Sequence, residues 1–316
     1  MKTSIVEAIG ETPLIELRRV AKPPGRILLK LDYLNPGFSK KDRIALQIIE
    51  DAEQAGELHP GQTVVELTSG NTGTGLAIVC GVKGYRFIAV MSKGNSPERA
   101  RMMRALGAEV VLVDQCPDSI PGQVSGPDLE RVEARTAELV EESGAFRADQ
   151  FRTQGNFRAH FLHTGPEILR QAACPIDLFC DFAGSGGTFA GCAAAFRQAN
   201  PRTQCYLIEP DGAAALAGEP VRDARHRIQG GGYAMPHLDL IRVEDVAGYL
   251  QVSDTEAIAA SRDLARQEGV FAGFSTGANL AGARKLLERF PGATVAIIAN
   301  DSGLKYLSTD LWPEGK

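Results

Sequence analysis

The sequence predicts an α/β protein of two domains, each a mostly parallel sheet flanked by helices, with a cleft between them. Three observations predict it. The chain has 316 residues, too many for one ordinary core when domains run to about 100–200 residues. Short strand-like and helix-like segments alternate from residue 63 onward, the spacing of a parallel sheet with crossover helices. Glycine-rich turns recur where predicted strands end, and open parallel sheets bind ligands at those ends.

Taken in order, T-V-V-E-L (63–67) reads as a strand, T-G-L-A-I-V-C-G-V (74–82) as a helix and F-I-A-V-M (87–91) as a strand. S-P-E-R-A-R-M-M-R-A-L (96–106) is a helix with Ser96 as N-cap, Pro97 in the first turn and Gly107 as the stop, and A-E-V-V-L-V (108–113) is the next strand. The rhythm breaks at 115–127, where proline, glycine and serine crowd together. This stretch is expected to be a lid over the substrate mouth. A charged helix (128–143) follows, then strand I-D-L-F-C-D-F (176–182), a small-residue helix (188–198), strand C-Y-L-I-E (205–209), helices near 254–268 and 276–289, and strand T-V-A-I-I-A (294–299).

Composition narrows the function. With 44% hydrophobic residues, 23% charged residues and a net charge of -5, the chain lacks the basic footprint of a nucleic-acid binder. It has no signal-peptide core and no apolar run of membrane-spanning length, so a cytoplasmic protein is expected. The six cysteines (80, 116, 174, 180, 192, 205) form no C-x-x-C pair and read as reduced core residues. The five histidines show no metal spacing; His160 and His163 can share a helix face, but no partner completes a site.

Four elements are placed where chemistry is expected: N-P-G-F-S-K-K-D-R (35–43), T-S-G-N-T-G (68–73), G-S-G-G-T (184–188) and G-F-S-T-G (273–277). The backbone N–H groups of G-S-G-G-T, with the hydroxyls of Ser185 and Thr188, can wrap a phosphate; a plain strand-to-helix turn is the alternative. Phe189 breaks G-x-G-x-x-G, and no P-loop motif occurs. G-F-S-T-G has the form of a hydrolase nucleophile elbow, but no histidine follows Ser275, so that triad order cannot be completed; Ser275 can also be a simple N-cap. T-S-G-N-T-G suits a carboxylate, or equally an Asx-type turn. Together, a phosphate cradle, a carboxylate cradle and a strand-end lysine without a nucleotide motif point to a small phosphorylated cofactor held covalently by a lysine.

With these motifs in place the sequence resembles the cysteine synthase (O-acetylserine sulfhydrylase) family of fold-type-II pyridoxal-phosphate enzymes, from I-G-E-T-P-L (9–14) to S-G-L-K-Y-L-S-T (302–309). The resemblance implies two three-layer α/β domains with pyridoxal 5'-phosphate in the cleft between them: a smaller unit of residues 41–146, and a larger one of 1–40 plus 147–316. It places the cofactor lysine directly before Asp42-Arg43, at Lys41, leaving Lys40 as a solvated charge whose proximity helps keep the Lys41 amine neutral. Asn71 would bond the ring hydroxyl oxygen, Gly184, Ser185, Gly186, Gly187 and Thr188 the phosphate, and Ser275 the pyridine nitrogen. Thr68, Ser69, Gly70 and Thr72 would grip the substrate carboxylate, with Gln150 and Gly230 closing round it. An uncharged hydroxyl at the ring nitrogen favours loss of a β-substituent over transamination. The implied reaction is β-replacement on an O-activated L-serine through an α-aminoacrylate, giving L-cysteine or a related β-substituted alanine. The implied partners are an amino-acid substrate and a small nucleophile, sulfide or another, in a homodimer.

Departures from the family pattern cluster on the substrate side. Phe38 stands where a glycine is usual, and is expected to narrow the pocket near the leaving group; Leu67 replaces a proline and Ser185 a threonine. Thr153-Gln154-Gly155-Asn156-Phe157 and Gly231-Gly232-Tyr233 also differ, and the 115–127 loop is longer. Two other readings stay open: net α,β-elimination, of the cysteine desulfhydrase or dehydratase type, and a cofactor-bound regulatory protein.

Overall fold

The structure is a computed structural model that describes residues 1–312. Strands β1 (Leu14–Leu17) and β2 (Arg26–Lys30) pair antiparallel and lead into helix α1 (Lys41–Ala55). Then follow β3 (Thr63–Leu67), α2 (Asn71–Lys83), β4 (Arg86–Ser92), α3 (Pro97–Ala105), β5 (Glu109–Val113), α4 (Gly126–Ser143) and β6 (Phe146–Arg147). The short helices α5 (Gln154–Ala159) and α6 (Gly165–Gln171) precede β7 (Leu178–Phe182), α7 (Gly187–Ala199), β8 (Gln204–Pro210) and β9 (Gly248–Val252). The last elements are α8 (Asp254–Asp263), α9 (Phe274–Arg289) and β10 (Thr294–Ile298).

The strands form two sheets, as the alternation predicts. One has the order β5-β4-β3-β6 and is parallel throughout; the other runs β1-β2-β10-β7-β8-β9, with β1 its only antiparallel member among the described residues. Helices cover both faces, so central strands such as β7 and β10 are buried at every residue, the reason they read as continuous apolar runs. On α1 the buried Ile44, Ala45, Ile48, Ile49 and Ala52 recur at helical spacing, giving one apolar stripe. Ser125 opens α4 with a capping box to Asp128. At α3, however, Ser96 makes no side-chain cap; its hydroxyl donates to the Lys305 carbonyl, 3.0 Å away.

The order in which the chain lays down strands of the larger sheet reverses at the parallel β10–β7 pair, with β2 and β1 on one side and β8 and β9 on the other. Such a switch point opens a crevice at the strand carboxyl ends. Pairing of β2 with β10 also sets residues 35–43 beside 299–306: Lys40 N–H donates to the Asn300 carbonyl at 2.9 Å, and Ser39 bridges to Asp301. The first turn of α1 is bolted down by Arg43, whose buried guanidinium meets Glu167 at 2.7 Å and Asp32 at 2.9 Å. No helix among the described residues is long and apolar enough to cross a membrane.

Phe38 has φ +59°, left-handed backbone that costs an L-residue about 1–2 kcal/mol relative to glycine's freedom. Its side chain is 43% exposed and gives little packing in return. Phe38→Gly is therefore expected to raise unfolding stability by about 1 kcal/mol, read as a higher denaturant midpoint; an unchanged or lower midpoint contradicts the strain.

Candidate active site

Lys40 and Lys41 part company as soon as α1 begins. Lys40 is not solvated, as the sequence suggested, but buried: its ammonium sits 2.7 and 3.0 Å from the two oxygens of Asp181 on β7. Asn279, on α9, donates to the same carboxylate at 2.9 Å. A buried ammonium must be paired, and its partner lies on a strand that sequence neighbours do not reveal. The Lys41 amine, by contrast, has no hydrogen-bond or ion-pair partner among the described residues. Burial first and the adjacent Lys40 charge second push it down to about 7, against the opposing pull of Asp181 and Asp301. Near neutrality a large share of this amine is unprotonated and nucleophilic.

Around Lys41 the crevice gathers Asn71, Gly184, Ser185, Gly186, Thr188, Gly230 and Ser275 into one cavity. The 184–188 loop turns from β7 into α7 with Gly186 as a left-handed N-cap, φ +86°, and no side chain caps the helix. Those first-turn N–H groups are a ready anion site. Gly187 cannot carry a side chain, because a Cβ there would lie 2.1 Å from Asn156 Oδ1. Asn156 in turn donates to the Ser185 hydroxyl at 2.8 Å, and His160 Nε2 lies 3.1 Å from the Thr188 hydroxyl, with Nδ1 2.9 Å from Thr164. Burial pushes the His160 imidazole well below its usual value, so it is neutral. The sequence marks Asn156 only within a substrate-side departure and His160 only as a histidine without metal partners, so neither reads there as a support of this loop; His163 is exposed. The uncapped helix start, the bare glycine and the unpartnered lysine together fit a phosphorylated aldehyde.

Ser275 is not the N-cap of α9; Gly273 is, and Ser275 lies buried in the first turn, facing the Lys41 cavity. Nor does a strand precede it, only an isolated bridge between Ala272 and Ser302. No group among the described residues hydrogen-bonds to its hydroxyl, which leaves it free for a ligand.

A second cavity opens beside the first, sharing Lys41, Asn71, Ser185 and Gly230 and adding Thr68, Ser69, Thr72 and Gln150. Thr68 shapes the loop from within, accepting the Gly70 and Gly73 N–H groups at 2.9 Å each. Gly70 has φ +126°, and a Cβ there would lie 2.6 Å from Arg99 Cδ. Thr72 donates to Gln150 at 2.6 Å, and Gln150 to the Leu67 carbonyl at 2.9 Å. Arg99, whose guanidinium holds the Ser69 carbonyl at 2.7 Å, was not expected in this cavity; Tyr233, singled out in the sequence as a substrate-side departure, lines it with its hydroxyl 3.0 Å from that of Ser69. Tyr233 also walls off an outer cavity of about 580 Å³. Its position after the left-handed Gly230 and Gly232 was the signal available in the sequence.

Two substrate-side expectations change. Phe38 lines neither cavity and turns toward solvent. Residues 115–125 line neither cavity nor the outer one, which only Gly126 and Pro127 of that stretch reach, already inside α4. The Asp128 carboxylate ties the loop down through Cys116 N–H at 2.6 Å and the Ser119 and Ser125 hydroxyls at 2.9 and 2.7 Å, so it is a fastened turn beside β5.

Residues 5–301 match the family described as pyridoxal-phosphate dependent enzyme. The chain belongs to that family. Curated relatives of this pyridoxal-phosphate enzyme include the cysteine synthase of Staphylococcus aureus, 38% identical over 98% of this chain and 96% of the relative. The O-ureido-L-serine synthase of Streptomyces lavendulae is 38% identical over 98% of this chain and 92% of its own. A crystal structure of O-ureido-L-serine synthase superposes with a TM-score of 0.89 at 37% identity, covering 100% of this chain and 98% of that one. The fold is thus that of fold-type-II pyridoxal-phosphate enzymes, with the cofactor dependence the sequence implied.

Because only the free amine attacks an aldehyde, uptake of pyridoxal 5'-phosphate by the cofactor-free enzyme is expected to quicken as pH rises toward 7 and to level off above it. Stopped-flow absorbance checks this; a rate still climbing tenfold per pH unit above 8 marks an ordinary lysine.

Proposed function

We propose that the enzyme replaces the β-substituent of an O-activated L-serine, O-acetyl-L-serine or a close analogue, with a small nucleophile, giving L-cysteine or a related β-substituted alanine. The observation that carries this is the convergence on one unpartnered lysine of two anion-binding loops, one on each side. The relatives named cysteine synthase and O-ureido-L-serine synthase support the same class of reaction.

Pyridoxal 5'-phosphate, when bound, supplies the electron sink that stabilises charge at the substrate Cα. Lys41 anchors it and acts as general base toward the Cα proton. Gly184, Ser185, Gly186, Gly187 and Thr188 would hold its phosphate, Asn71 would bond its ring hydroxyl oxygen and Ser275 would serve its ring nitrogen. An alcohol at that nitrogen carries no fixed charge, so departure of the β-substituent competes well with reprotonation. Ser69, Gly70 and Thr72 hold the substrate carboxylate on loop N–H groups and hydroxyls, oriented by Thr68, while Gln150, Gly230 and Tyr233 keep water out.

Residues 41–146 belong to this proposal as the smaller unit that carries Lys41 and the carboxylate loop, closing on a larger unit of 1–40 and 147–316. So do a homodimer and a cytoplasmic location; six free cysteines fit a reducing compartment.

Incubation with O-acetylserine and sulfide is expected to form new thiol, and Lys41→Ala to lower that rate about 10³-fold or more, as loss of a general base does. Pyruvate released from cysteine alone, with no thiol formed, establishes net elimination instead. Neither product leaves the regulatory reading.

A further inference from the structure

A carboxamide can turn either its oxygen or its NH₂ toward a ligand, and shape alone does not decide which. At Asn71 the surroundings decide. On one side stands Lys305, 1% exposed, a donor-only cation whose ammonium reaches Asn71 Oδ1 at 2.8 Å and the Gly37 carbonyl at 2.7 Å. On the other side the direction is set from further off. Arg99, also donor-only, gives a hydrogen bond to the Tyr306 hydroxyl at 2.7 Å and lies over that ring at 5.0 Å. The tyrosine proton is thereby turned onto Asp301 Oδ2, 2.7 Å away, and the same oxygen accepts from Asn71 Nδ2 at 2.8 Å. Two cations, one at each end of the chain Arg99, Tyr306, Asp301, Asn71, Lys305, leave the amide one orientation.

We propose that Lys305 and Asp301 are positioning residues that lock the polarity of Asn71, so that the remaining N–H of its amide is what faces the cavity, selecting an anionic oxygen on the ligand ring. The proposal rests on the reading that pyridoxal 5'-phosphate occupies the Lys41 cavity with its ring oxygen toward Asn71. Lys305 and Asp301 line neither that cavity nor the one beside it, so their hydrogen-bonded route to the ligand ring runs through Asn71.

The test loads the full-length protein and its variants with pyridoxal 5'-phosphate and records the absorption of the bound chromophore across pH, with affinity measured in parallel. The parent is expected to show the longer-wavelength band of the form with a deprotonated ring oxygen. In Lys305→Met, and in Lys305→Gln, whose amide donates or accepts equally, part of that band is expected to move to shorter wavelength. Affinity should fall about tenfold, the scale of one charge-assisted hydrogen bond. Should the methionine variant fail to fold, the glutamine variant carries the test. Lys305→Arg, again donor-only, should keep the parental band. A coloured parent whose methionine and glutamine variants keep its band and affinity overturns the lock while leaving the functional reading intact; a parent that takes up no cofactor overturns both.

Discussion

Everything at this site depends on the pairing of β2 with β10. These strands come from opposite ends of the chain, yet their register, Arg26 on Thr294 through Lys30 on Ile298, sets the residues after one beside the residues after the other. Lys40 and Lys41 follow β2; Asn300, Asp301 and Lys305 follow β10. The β10–β7 pair then brings Asp181 and the 184–188 loop to the same rim. The crevice is where parallel strands of an open sheet reverse their order, and its contents follow from the register.

A second constraint is electrostatic. Burying Lys40, Lys41, Lys305 and Arg99 within one region is costly unless each charge is paired or abolished. Lys40 is paired with Asp181; Arg99 gives its protons to Ser69 and Tyr306 and lies 3.8 Å from Asp301. Burial pushes the Lys305 ammonium below its usual range, with Asp301 and Asp42 opposing. Of the four, Lys41 is left without a partner among the described residues, and burial lowers it to about 7, so near neutrality a large share of it gives up its proton. The two adjacent lysines are thus chemically opposite: one is a fixed charge that closes an ion pair, the other an amine kept reactive by the absence of one.

The sequence showed the parallel alternation and the glycine turns because these are local signals, apolar runs and residues free to adopt left-handed backbone; the choice of Lys41 over Lys40 came from the family resemblance, which places the lysine directly before Asp42-Arg43. It did not show β1, β2, β6 or β9: β1, β6 and β9 are short or only partly buried strands, and β2, though buried at four of its five residues, lies ahead of residue 63, where the strand–helix alternation begins. Contacts across long separations were equally hidden. Lys40 finds Asp181 141 positions away and Lys305 finds Asn71 234 positions away, and no periodicity encodes such pairs. Phe38 was misjudged for a related reason: its left-handed backbone turns the side chain outward, a consequence of the turn rather than of its bulk. The sequence offers His160 only as a metal ligand without partners and Asn156 only as part of a substrate-side departure; their support of the 184–188 loop emerges only from the side chains of Ser185 and Thr188 that they meet.

The most direct test is chemical. Borohydride reduction of the protein loaded with pyridoxal 5'-phosphate, followed by peptide mass mapping, should place a single pyridoxyl adduct on Lys41. An adduct on Lys40 or Lys305, or none at all, would contradict the account.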